Sequence, residues 1–119
     1  MRKIMMVLPL FLLLSSCYYD AEELLYPDLE CNTEGVTLSG TVLPILVENC
    51  FRCHDEANNF GGITLEGYDQ LKRYADNGQL LGAISHTTGF SPMPQNAPQL
   101  VECNIEKIAA WLDAGAPND

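Results

Sequence analysis

The stretch Cys50-Phe51-Arg52-Cys53-His54 constrains this 119-residue chain more than any other. On a helical turn, positions i and i+3 project to the same side. The two thiols therefore leave one face together, and an imidazole follows at the next position. The chain holds only two histidines, so the place of this one carries weight. A zinc ribbon would need a second comparable pair, and Cys17, Cys31 and Cys103 stand singly. A thioredoxin-like redox motif expects a preceding strand in a βαβ setting, and no strand pattern is visible. The spacing reads as covalent attachment of one c-type haem. Cys50 and Cys53 would each add to one vinyl group of the same porphyrin edge, and His54 would bring its Nε2 to the iron as proximal ligand.

The N-terminus reads MRKIMMVLPLFLLLSSC. Arg2 and Lys3 form a charged region and Ile4 to Leu14 a short apolar run, the proportions of a secretory signal rather than a membrane span. Leu14-Ser15-Ser16-Cys17 resembles a bacterial lipobox, in which the chain is cut before the cysteine and its thiol takes a diacylglycerol. Residues 1–16 are thus expected to be a lipoprotein signal peptide. Cys17 is the expected lipidation site, and the domain is held outside the cytoplasm, on the periplasmic side or cell surface, by a membrane anchor. Acyl chains bury CH₂ groups for roughly 0.8 kcal/mol each, so two or three anchor firmly. Without Arg2 and Lys3, four basic residues face all sixteen acidic ones. That balance excludes nucleic acid as a partner, because phosphate contacts need a basic face. It suits solubility, or docking to a redox partner with a basic face.

Residues 17–38 are acidic and broken by Pro27 and Gly35, and read as a tether, although Leu24, Leu25, Tyr26 and Leu29 suit docking on the domain. Residues 39–119 read as the domain. Val42, Ile45, Leu46 and Asn49 fall at helical spacing, with Pro44 tolerable only in a first turn. Gly61 and Gly62 mark a loop, and Tyr68 to Asn77 a short helix stopped at Asn77-Gly78. A further short helix is expected in Gln79 to His86. Pro92, Pro94 and Pro98, with Gly89, exclude regular structure between Thr87 and Pro98. The last helix places Ile105, Ile108, Ala109 and Leu112 on one face, with Asn104 as cap and Gly115 as stop. The expected class is all-α, with three to five short helices and long loops. A core this small and loop-rich calls for a staple, and a haem is one.

Cys31 and Cys103 form the even pair left over, which in an oxidising compartment predicts a disulfide. It would close a loop of about seventy residues and contribute roughly 4 kcal/mol in chain-entropy terms. For the second axial ligand there are two candidates. Met93 lies in Ser-Pro-Met-Pro-Gln, where flanking prolines stiffen the loop and remove N–H groups that would need partners. His86 is the rival. A thioether favours ferrous iron and raises the potential relative to a second imidazole.

The haem signature near the first helix, Met93-Pro94, and a final amphipathic helix bearing Trp111 together resemble a class I monohaem cytochrome c domain. Gly61 to Leu71, Gly89 to Pro94 and Ile108 to Pro117 are similar to small exported bacterial members of that superfamily. The resemblance covers Ser39 to the C-terminus. It implies that the first and last helices cross beside the haem, with Cys50 and Cys53 as thioether anchors, His54 proximal and Met93 distal. Many family members carry Gly-Pro after the signature, whose carbonyl orients the proximal imidazole; this chain has Gly61-Gly62-Ile63. A nearby carbonyl is expected to take the His54 Nδ1–H.

The function so implied is electron carriage, not enzymatic turnover. The iron exchanges one electron with partners across an edge near the surface, and Asp55, Glu56 and Asp69 are candidates for steering a basic partner. Two alternatives stand beside it: a haem-based gas sensor with an open distal side, and a module of a larger respiratory complex in which haem only staples the fold.

Overall fold

A computed structural model describes residues 31–119. The expected signal peptide, the expected lipidation site Cys17 and the stretch read as tether up to residue 30 lie outside the described residues. Among those described the chain is helical and contains no strand, and no helix is long and apolar enough to cross a membrane.

The first helical stretch begins as a π-helical turn, Leu38–Val42, and runs on as α1, Leu43–Asn49. Thr37 caps the turn: its hydroxyl accepts from the Gly40 N–H at 3.1 Å. Two more of the orphan donors at this end reach the C-terminal residue. Leu38 N–H donates to Asp119 Oδ1 at 2.7 Å and Ser39 N–H to the Asp119 carbonyl at 3.0 Å. Pro44 is the second residue of α1, but helical backbone already precedes it in the π turn, so the helical stretch starts six residues before Pro44, earlier than a proline in its first turn would place it. A second short helix, α2, spans Phe51–His54, with Cys50 as a kink between the two. The kink stays bonded. Cys50 N–H donates to the Leu46 carbonyl at 2.8 Å, and the Asn49 amide donates to the Ile45 carbonyl at 2.8 Å.

After a 3₁₀ turn at Phe60–Gly62 come α3, Tyr68–Asp76, and α4, Gln79–Ile84. Lys72 and Asp76 pair one turn apart on the exposed side of α3. Gly78, at φ 77°, makes the left-handed turn into α4. An irregular strap, residues 87–100, leads to α5, Glu102–Asp113. That helix starts two residues before the expected cap, Asn104. The extended Val101 already accepts from Asn104 N–H at 2.9 Å, so the first turn closes there.

α5 packs on the Leu38–Val42 turn and on α4. Its fully buried residues are Ile108 and Trp111, so the inward face centres on Trp111, with Ile105 and Leu112 at its margins. The indole N–H is satisfied by the Pro117 carbonyl at 2.9 Å, and Tyr68 O–H donates to the Ala116 carbonyl at 2.9 Å. These bonds fold residues 115–119 back over the core. Val42, Leu46, Leu71, Ile84 and Ile108 complete its centre. Leu38 is buried and Val36 packs on the core, so ordered packing reaches into the stretch read as tether. Cys31 and Cys103 lie at bonding distance, S–S 2.11 Å, and fasten residue 31 to the first turn of α5.

Candidate functional site

One cavity of about 930 Å³ opens between α2, the 60–65 loop, α3, α4 and the strap. That volume lies in the upper part of the range for cofactor sites, roughly 300–1,000 Å³. Cys50, Cys53 and His54 line one wall, and Met93 lines another. Ile63, Leu65, Leu80, Ile84, Phe90 and Leu100 make much of the remainder apolar.

The wall built by α2 follows from its backbone. Cys53 N–H and His54 N–H both donate to the Cys50 carbonyl, at 3.1 and 3.0 Å, which closes one tight turn around the signature. Cys50 and Cys53 are both free thiols. Burial pushes the Cys50 thiol up to about 11 from an ordinary 9.0, and the neighbouring Cys53 adds to the rise. Reactive cysteines of redox enzymes depart in the other direction, toward the thiolate. Cys50 departs the opposite way, toward the protonated thiol.

His54 is held on one side by the chain that returns after the two glycines. Gly61 and Gly62 lie at φ 69° and 72°, a turn open to glycine and hard for other residues. The turn presents the Ile63 carbonyl to His54 Nδ1 at 3.1 Å, and Leu65 N–H then donates to the His54 carbonyl at 2.8 Å. A carbonyl only accepts, so Nδ1 carries a proton, and in the neutral ring the lone pair is then on Nε2. Such a bond fixes the tautomer and orientation of a metal-binding imidazole. The carbonyl expected near Gly61-Gly62 is thus that of Ile63.

Met93 is placed by α4, since its N–H donates to the Ala83 carbonyl at 3.0 Å. His86, the rival ligand, is exposed and does not line the cavity. Its Nε2 lies 3.0 Å from the Met93 carbonyl, so the ring ties down the strap from outside. Sequence reasoning missed two residues here, Gly82 and Phe90. The only available signal was a glycine in the middle of a short apolar helix.

The donor set fits a haem. A porphyrin brings four nitrogens to its iron, so the protein supplies only one or two axial ligands. Among the described residues no group of three or more His, Cys, Asp or Glu is gathered for a metal held by protein alone. What the cavity does offer is two thiols one turn apart, an imidazole with Nε2 free, a thioether and an apolar lining. Comparison with known proteins returned no match among family models, curated proteins or solved structures.

Proposed function

We propose that the chain is an electron carrier of the class I cytochrome c type, with one covalently attached c-type haem and His54 and Met93 as axial ligands. The observation that carries this reading is the gathering of Cys50, Cys53, His54 and Met93 on one apolar-lined cavity of about 930 Å³. When bound, the haem supplies a one-electron iron centre whose potential is tuned by its ligands and by water exclusion. The protein's own part is positional. Cys50 and Cys53 hold the group by two thioether bonds from one helical turn. Ile63 keeps the His54 proton on Nδ1, so that Nε2 is free to bind metal. Ala83 and His86 hold the Met93 backbone. Leu80, Ile84 and Leu100 keep water away. Lipid on Cys17 would tether this carrier to a membrane outside the cytoplasm, with residues up to 30 as spacer. The acidic balance of the chain suits a partner with a basic docking face.

Mass spectrometry of the exported chain, made in a host equipped for cytochrome maturation, tests this reading. The expected mass includes one haem and the lipid; a bare lipidated polypeptide overturns it. A thioether-to-iron charge-transfer band and inertness to carbon monoxide are expected of the carrier. Ready carbon monoxide binding by the parent protein would favour the gas sensor. Met93→Ala should abolish the band, open the iron to carbon monoxide and lower the potential, and an unchanged spectrum would remove Met93 from the distal position.

A further inference from the structure

The strap at residues 87–100 carries Met93, yet most of its residues are exposed. Its one aromatic residue has a particular seat. Gly82 lies buried within α4 on helical backbone. A Cβ placed on it would fall 2.4 Å from Phe90 Cδ2 and 2.6 Å from Cε2 and Cγ, far inside any real contact. Glycine inside a helix is about 1 kcal/mol worse than alanine, so the helix gives up propensity where the ring needs room. Phe90 fills the notch with one face, lines the cavity, and stays 38 % exposed.

The backbone repeats the same attachment. Thr87 N–H donates to the Gly82 carbonyl at 2.9 Å, Phe90 N–H to the Thr87 carbonyl at 3.1 Å, and Met93 N–H to the Ala83 carbonyl at 3.0 Å. The Phe90 ring and Met93 therefore hang from two consecutive residues of one helix. We propose that Phe90 is the positioning residue for Met93 and Gly82 its socket: the docked ring sets where the strap crosses α4, and so where the thioether stands in the cavity. The functional meaning rests on the haem reading above, whereas the coupling of Phe90 to Met93 can be read without it.

The chain itself supplies a probe. Met93 is the only methionine after residue 6, so oxidation of its thioether by peroxide can be followed by mass on the peptide that carries it. The full exported chain would be compared with G82A, F90A and the G82A/F90A double variant. Each single variant should oxidise Met93 about tenfold faster, the effect of an overpacked or emptied seat costing somewhat over 1 kcal/mol. Each should also weaken the thioether-to-iron band and lower the potential. The double variant, in which the overlap is gone, should be no worse than F90A alone, because the two residues act as one contact. If G82A does not fold, F90A introduces no overlap and decides alone. Oxidation rates within twofold of the parent, with the band and the potential unshifted, overturn the proposal, and so do strictly additive effects in the double variant. A parent chain without haem would sink the carrier reading and leave the oxidation rates to judge the socket. A haem-bearing parent whose Met93 ignores all three variants would sink the socket alone.

Discussion

The two walls that carry the candidate ligands are made in contrasting ways. The wall at residues 49–65 is tied by a run of short-range hydrogen bonds. Asn49 bonds Ile45, Cys53 and His54 bond Cys50, His54 Nδ1 meets Ile63, and Leu65 returns to His54. All of these partners lie within twenty residues in sequence. The strap at residues 87–100 has no such ladder. It is held by a ring in a notch, by bonds to Gly82 and Ala83, by the His86 side chain, and by the burial of Leu100 at its exit. The comparison teaches that one candidate ligand is set by a run of hydrogen bonds that ends on its own ring, and the other by a packed aromatic ring and a few bonds to its backbone. The first should be rigid and the second adjustable.

The largest expected effect lies on the rigid wall. Replacing Cys50 and Cys53 together by Ser should abolish covalent haem completely, as read by mass and by haem staining after denaturation. A full haem complement in that double variant would end the idea that this wall holds anything by sulfur.

The same contrast explains what could be read from the sequence. The signature was legible because its chemistry sits in five consecutive positions and its spacing matches one helical turn. Helices α1, α3 and α5 were legible from period and breakers: Pro44 at one start, Asn77-Gly78 at one stop, Gly115 at another. The Cys31–Cys103 pair came from parity alone. Gly82 could not be understood locally, because the ring that excludes a side chain there lies eight residues on, past an irregular turn. Nor could the centring of α5 on Trp111, which depends on the tail folding back to take its N–H. That Asp119 would cap the first helix was likewise invisible, since a contact between residues 81 positions apart leaves no periodic trace.

The next effects in size sharpen the contrast. Cys103 lies three residues past Leu100, so the disulfide pins the exit of the strap. Replacing Cys31 and Cys103 by Ser should cost roughly 2–5 kcal/mol in a denaturant titration. It should also speed oxidation of Met93 while leaving the mass of attached haem unchanged. A cost under about 1 kcal/mol would show that α5 is held by packing alone. On the other wall, pH separates the free and bonded states of Cys50. A partly buried thiol held near 11 against an ordinary 9.0 favours the folded chain in its protonated form. Stability from this group is intact below pH 9 and is lost as pH rises toward 11, by about 2–3 kcal/mol in all. Urea midpoints at pH 8 and pH 10.5 should show that step in chain lacking haem. A thioether sulfur does not titrate, so the haem-bearing chain should lack it. The same alkaline loss in both forms would mean that Cys50 is not bonded.

The smallest expected effect decides between the two candidates on the adjustable wall. His86 sits at φ 51°, a left-handed backbone that asparagine tolerates better than alanine, so His86→Asn removes the imidazole with little added strain. The hydrogen bond that goes with it, from the ring to the Met93 carbonyl, is exposed, and such a bond is worth under about 1 kcal/mol net. The thioether-to-iron band should persist and the potential should move far less than in Met93→Ala. His86 would then be a tie on the outside of the strap, and the adjustable wall would owe its one axial ligand to sulfur. If His86→Asn instead bleaches the spectrum and opens the iron as fully as Met93→Ala does, the imidazole reaches the metal. The strap would then have to sit differently on α4 from the way Phe90 and Gly82 place it here.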